Sequence, residues 1–340
     1  MIVGTVEPAA LSLGGAPPPF NPRTWVVTNG NRGSDALAEG LLDSLGVTAE
    51  RLDHVKLSGP YGWMAPNGPL PFGHVGKNGK VFSPPWPDMI ISVGRTAAPY
   101  ALAIRKKSQG RTFALSLLNP KTKPEKWDLI WTPAHDRLEG ANVVSTLTSP
   151  HRLTPQKLAA AAQTLYDEIA AMPRPWITVL VGGPNGKYRF SPRLARELCN
   201  QLDELAPEGS FLITTSRRTP ESVAWTIKQW MGTKAARLWM GGADNPYLGF
   251  LGLADAIVVT ADSVNMAGEA ASTGKPVYVL DLPGNAGKFR RFHKALSETR
   301  ATRALGGAFE RWDYEPVNAN PAIAAAVKQA YFAWDRARGA

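Results

Sequence analysis

Two doubly wound Rossmann-like α/β domains are the architecture this sequence predicts, and three observations carry the expectation. Short apolar runs alternate with helix-period segments along the whole chain. The alternation starts afresh after the breaker Pro173-Arg174-Pro175. Within it, 256–280 is a compressed βαβ unit: an Ala-Ile-Val-Val-Thr strand, the turn Asp262-Ser263, a small-residue helix carrying Glu269, then Gly274-Lys275-Pro276 and a second strand.

Taken in order, the first half offers strands at 25–28, 53–57, 89–93, 112–117, 129–132 and 142–146, with helices at 34–45 and 97–107. The Gly/Pro-dense segment 59–87, with Tyr61, Trp63, Met64, Phe72 and Trp86, is expected to hold at most one hairpin. A helix at 154–171 then leads to strands at 177–181, 211–215, 237–240, 256–260 and 277–280, with helices at 192–205, 220–231, 263–272 and 288–298. The domains are therefore drawn as 23–172 and 173–318, and the last helix, within 319–340, is expected to return to the first. Residues 1–22 have neither a basic start nor a proper apolar core, and Pro17-Pro18-Pro19 breaks any helix, so they are expected to be a flexible leader and not a signal peptide.

Composition narrows the function. A chain of 340 residues, 44% hydrophobic, can bury two cores. Its one cysteine, Cys199, excludes an internal disulfide and any Cys-based zinc cluster, and fits a reducing, cytoplasmic setting. The five histidines lack HExxH spacing, and no Asp-x-Asp triplet is present, so no metal is expected. No apolar run approaches the roughly 20 residues that span a bilayer. The net charge of +10 favours anionic partners and is spread along the chain, not gathered in a tail. No nucleic-acid module signature appears, so nucleic acid is not an expected partner.

Three turns follow strands of the second half and would face one crevice at the carboxyl ends of a parallel sheet. Gly182-Gly183-Pro184-Asn185-Gly186-Lys187 allows close backbone approach to an anion but fails the P-loop pattern, with Val181 and Tyr188 where Gly and Ser/Thr belong. Ser216-Arg217-Arg218-Thr219-Pro220 sets guanidiniums before a helix start. Ser263 reads as an N-cap, turning a helix dipole toward the crevice. Glu269 lies seven residues beyond Asp262, about 10 Å along the helix, which is a pyrophosphate-to-ribose reach, with Asn265 and Met266 one turn earlier. Each turn also has a plainer reading, as a simple loop, a solvated helix start or a capped core helix. In the first half, the turn from Asn29 through Gly30, Gly33 and Asp35 is not GxGxxG, and Gly94-Arg95-Thr96 and His135-Asp136 end later strands. Asp35 and His135 are rival candidates for a general base.

These residues together resemble the elongated-mitochondria (mitochondrial fission) family, whose bacterial members are regarded as glycosyltransferases of GT-B type. The likeness runs from Trp25 to about Gly307. It rests on Gly182-Gly183-Pro184-Asn185, Thr215-Ser216-Arg217-Arg218-Thr219-Pro220, Asp262-Ser263-Val264-Asn265-Met266 with Glu269-Ala270, and Gly274-Lys275-Pro276-Val277. Trp127-Asp128-Leu129-Ile130, His135-Asp136 and Asn142-Val143-Val144 add to it. The first turn keeps Gly30 and Gly33 but not the His and Gln that follow in the family pattern.

The resemblance implies two Rossmann-like domains facing a cleft, a nucleoside diphosphate sugar held by the second, a hydroxyl acceptor held by the first, and neither metal nor cofactor. Gly182, Gly183 and Asn185 would support the pyrophosphate, with Thr215 and Ser216 beside them. Arg217, Arg218 and the Asp262-Ser263 helix start would offset leaving-group charge, and Glu269 would hold the ribose. Asn29, Gly30, Gly33 and Arg95 would line the acceptor side, with Asp35 or His135 as base. A cell-envelope glycan or glycolipid is the expected acceptor, with the aromatics and lysines of 59–87 either touching a membrane face or packing inward. Plant members are adaptors in organelle division, so a scaffold that recruits a protein partner is the alternative, alongside a nucleotide-sugar epimerase.

Overall fold

The structure is a computed structural model and describes residues 19–232, 234–284 and 287–339. Most of the expected leader, residues 1–18, lies outside that range. Two compact units divide the described chain, one from 19–152 with 319–339 and the other from 153–318.

The first unit contains β1 (Thr24–Thr28), α1 (Arg32–Leu45), β2 (Ala49–His54), α2 (Gly59–Met64), β3 (Met89–Val93), α3 (Ala98–Lys107), β4 (Phe113–Leu117), β5 (Leu129–Pro133) and β6 (Val143–Thr146). All six strands are parallel, in the order β2-β1-β3-β4-β5-β6. Every residue of β1, β3, β4, β5 and β6 is buried, as a parallel sheet covered on both faces requires. β2 corrects the expectation of a strand at 53–57. It is an edge strand whose burial alternates along Ala-Glu-Arg-Leu-Asp-His, so polar residues serve it, and the apolar Val55 lies beyond it in the core. The 59–87 segment also departs from expectation, opening with the short helix α2 in place of a hairpin.

The second unit contains α4 (Pro155–Ile169), β7 (Trp176–Val181), α5 (Pro192–Leu205), β8 (Ser210–Thr215), α6 (Glu221–Met231), β9 (Ala236–Trp239), α7 (Tyr247–Leu253), β10 (Ala256–Thr260), α8 (Val264–Ala271), β11 (Val277–Leu280), α9 (Gly287–Glu298) and β12 (Thr302–Ala304). Its strands are parallel, in the order β12-β11-β10-β7-β8-β9. α4 packs on α7, where a Cβ on Gly249 or Gly252 would overlap Leu165 or the Leu158 carbonyl. That packing sets the division at residues 152 and 153 and not at the proline break.

The last helix, α10 (Asn320–Gly339), packs on α1 and buries Ile323, Ala324 and Val327 among Leu37, Leu41 and Leu45. Its first residue is fastened to the first unit: Asn320 Nδ2 donates to the His151 carbonyl at 2.7 Å, and its Oδ1 accepts from the His151 N–H at 3.1 Å.

Candidate functional site

In the second sheet the chain leaves β7 toward β8 on one side, while β10 lies on the other. The connections after β7 and β10 run to opposite sides there, the topological switch point at which open parallel sheets generally bind ligands. One carboxylate ties these turns together. Asp262, whose side chain is 0% exposed, accepts at Oδ2 from the Gly183 N–H at 2.9 Å and from Arg218 Nη2 at 3.0 Å. Its Oδ1 accepts from Thr260 Oγ1 at 2.7 Å, and that hydroxyl oxygen accepts from the Gly182 N–H at 2.8 Å. Arg218 Nη1 also donates to the Gly183 carbonyl at 2.9 Å. A Cβ on Gly182 would overlap the Asp262 carboxylate, and one on Gly183 the Arg218 carbonyl. These glycines permit close approach of the protein's own chain.

The expected donor residues therefore fall into two groups. Gly182 and Gly183 give their N–H groups to Thr260 and Asp262, not to an open anion site. Asn185 holds its own loop, accepting at Oδ1 from the Lys187 and Tyr188 N–H groups and donating to the Asp262 carbonyl. Thr215 is buried and donates to the Trp239 carbonyl, and Ser216 bonds Thr219 and the Arg218 N–H. Arg218 is a strut to Asp262.

The second group makes fewer internal bonds. Arg217 is exposed and makes no ion pair among the described residues. Ser263 occupies the N-cap of α8, but its hydroxyl makes no capping bond. Its carbonyl accepts from the Ala267 N–H at 3.0 Å, so the N–H groups of Val264, Asn265 and Met266 have no partner within the helix. Glu269, seven residues beyond Asp262, accepts a short hydrogen bond from the Tyr247 hydroxyl. Burial pushes its carboxyl up to about 7, with the Tyr247 bond pulling the other way. Sequence reading missed Tyr247. It opens α7, a Gly-rich helix too short for periodicity to reveal, and only the tertiary fold brings it to Glu269.

In the first unit Asp35 lies in the first turn of α1, just after β1. Its Oδ1 accepts from Thr28 Oγ1 at 2.6 Å, and its Oδ2 lies 3.2 Å from His54 Nε2. The parallel register sets Thr28 beside His54, which brings an imidazole to a turn whose own sequence lacks one. That register was the missed signal for His54. Gly30, at φ 75°, donates its N–H to Thr28 Oγ1 at 3.0 Å and approaches the His54 ring closely. Asn29 Oδ1 accepts from the Asn31 N–H at 3.0 Å, Gly33 borders open space, and Arg95 donates to the carbonyls of Ala65 and Gly62. The His135 side chain is 8% exposed and lies 3.8 Å from Asp136, so it presents little surface to a substrate, whereas His54 is half exposed. In 59–87 the aromatics divide: Phe82 is buried and Trp86 packs on Trp25, while Trp63 and Phe72 stand in solvent.

Among the described residues no group of three His, Cys, Asp or Glu side chains is placed to hold a metal ion. Nor is any helix among them long and apolar enough to cross a membrane.

Residues 32–331 match the family described as Mitochondrial fission ELM1. The Mitochondrial fission protein ELM1 of Arabidopsis thaliana is 32% identical over 271 residues, covering 72% of this chain and 64% of that protein's length. An uncharacterized protein of Rickettsia prowazekii, RP120, is 27% identical over 284 residues, covering 71% of this chain and 79% of its own. Among solved structures, the UDP-GlcNAc 2-epimerase of Methanocaldococcus jannaschii matches at TM-score 0.51 and 9% identity, covering 91% of this chain and 99% of that one. At that identity the likeness is one of fold alone. The fold is of GT-B type.

Proposed function

The chain belongs to the mitochondrial fission ELM1 family, and from that premise we propose that its second unit binds a nucleoside diphosphate sugar and that the protein transfers the sugar to a hydroxyl acceptor without a metal ion. The observation that carries the reading is the set of groups that the turns after β8 and β10 leave unpartnered, Arg217 and the first N–H groups of α8. The unbonded N–H groups of α8 and the exposed Arg217 offer a diphosphate charge and donors, and the Glu269 carboxyl on the same helix offers a ribose acceptor. The epimerase of similar fold is named for UDP-GlcNAc, a nucleoside diphosphate sugar, which supports this ligand class.

In the reaction, the acceptor oxygen attacks the anomeric carbon as the bond to the diphosphate breaks. Arg217 and the α8 start stabilise the charge that develops on the leaving group. The acceptor's proton goes to a first-unit base, and we assign that role to the Asp35–His54 pair over His135, on exposure. Asn29, Gly30, Gly33 and Arg95 are proposed to border the acceptor, a glycan or glycolipid, with Trp63 and Phe72 able to enter a cytoplasmic membrane face.

A thermal-shift screen of UDP, GDP, ADP and CMP sugars tests the reading. One donor should stabilise the protein by about 2.7 kcal/mol at a hundredfold excess over its dissociation constant, and Arg217→Ala should reduce that shift. No shift with any donor would favour the second reading, a partner-recruiting scaffold, which the solvent-facing Trp63 and Phe72 support. Turnover of the donor without an acceptor would instead identify an epimerase.

A further inference from the structure

Among the described residues the two most exposed large apolar side chains are Phe72, at 101%, and Trp63, at 83%, and both stand on the segment between β2 and β3. Hydrogen bonds hold the chain beside each ring, so the exposure is built into the fold. Arg95 fastens α2 by donating to the carbonyls of Ala65 and Gly62, at 3.0 and 3.4 Å. The turn after Phe72 is closed by the Lys80 N–H, which donates to the Gly73 carbonyl at 2.8 Å, and by the Phe82 N–H, which donates to the His74 carbonyl at 3.0 Å. His74 Nδ1 in turn lies 2.9 Å from the Tyr100 hydroxyl. The turn sends Phe82 into the core and leaves Phe72 outside it.

The charge around these rings has one sign. No Asp or Glu occurs between Asp53 and Asp88, while Lys56, Lys77 and Lys80 are exposed and make no ion pair among the described residues. The bond from Lys80 to Gly73 sets one lysine beside the residue that follows Phe72, and Lys77 lies within the same turn. Aromatic rings flanked by lysines separate two kinds of partner. Protein interfaces are enriched in aromatics but depleted of Lys, whereas the headgroup region of a bilayer takes aromatic rings and ammonium groups together. Unopposed positive charge then matches anionic headgroups.

We propose that the turn of Phe72, with Lys77 and Lys80, docks the first unit on an anionic lipid surface. Phe72 enters the headgroup boundary, the lysines meet lipid phosphates, and Trp63 supplies a second ring on the same segment. This rests on the membrane-facing acceptor side proposed for the first unit. Vesicle binding needs neither donor nor transfer, so docking can fail while glycosyl transfer stands, and the reverse.

Sedimentation of the whole chain with vesicles of phosphatidylcholine alone, and of phosphatidylcholine mixed with phosphatidylglycerol, tests the proposal. The mixed vesicles should bind at least about tenfold more tightly, and less so as salt rises. Phe72→Ala should weaken that binding about tenfold or more. Lys77→Gln combined with Lys80→Gln should weaken it about 25-fold, about fivefold for each charge. All three side chains are exposed, so the variants should keep the parent's circular dichroism, and a loss of binding is read directly. Equal binding to the two kinds of vesicle, or variants that bind like the parent, would each overturn the proposal. Absence of vesicle binding would also overturn it and leave the exposed rings to a protein partner.

Discussion

Asp262 in the second unit and Asp35 in the first each follow a central strand of a parallel sheet, yet their surroundings differ. The Asp262 side chain is enclosed, and its oxygens are matched by a backbone N–H, a hydroxyl and a guanidinium. Asp35 is partly exposed, bonded by one hydroxyl and flanked by an imidazole that is half in solvent. The same residue type near the same kind of strand end thus builds a scaffold in one unit and leaves a carboxylate beside an imidazole within reach of solvent in the other. Burial decides between the roles, because a desolvated carboxylate must be matched by fixed donors, and fixed donors leave none over for a ligand.

The largest test of that contrast is Asp262→Ala, which leaves the Gly183 N–H unmatched and Arg218 without its ion pair. It should cost about 3–5 kcal/mol, while Asp35→Ala should stay within about 1 kcal/mol. Urea unfolding of both variants measures the difference, and equal losses would dissolve the distinction.

An intermediate effect is expected at Glu269, whose pKa of about 7 in the folded chain exceeds the ordinary 4.5. A folded-state pKa raised in this way contributes stability that is fully present below 4.5 and lost as the pH rises through 7. The parent should therefore lose on the order of 1–2 kcal/mol relative to Glu269→Gln between pH 5 and 8. Stability curves that run parallel across that range would show that the carboxyl titrates normally. A bound ribose donating to the carboxylate would favour its charged form, so donor binding should tighten as pH rises through 7.

The smallest change in stability belongs to His54→Ala, within about 0.5 kcal/mol, since its pair with Asp35 is solvent-screened. On the proposed reaction, the same variant should keep donor-induced stabilisation and lose about 10²-fold or more of transfer. Unchanged transfer would remove His54 from the chemistry and leave the exposed turn a surface feature.

The sequence was legible where burial is symmetric. Strands β3, β10 and β11 begin and end where their apolar runs do, because a parallel strand covered on both faces admits little else. It misled at β2, an edge strand with an alternating, partly charged pattern, and at 59–64, where Gly and Pro concealed the helix α2. β12 escaped notice because three residues at a sheet edge carry no periodicity. At the turns after β7, β8 and β10, Gly182, Gly183, Asn185 and Arg218 brace one another and Asp262 through contacts that no local pattern reveals.

By itself the order of residues determined the two-sheet α/β architecture and the strand-end turns at which chemistry can gather, because hydrophobic period and turn residues are local properties of the chain. Only the tertiary structure decided which polar groups in those turns are already matched and which are open. It paired Glu269 with Tyr247, 22 residues away, and Asp35 with His54 across a strand register. Such pairings depend on which loops the sheet order brings together, and hydrogen-bond saturation can be judged only once every neighbour is in place.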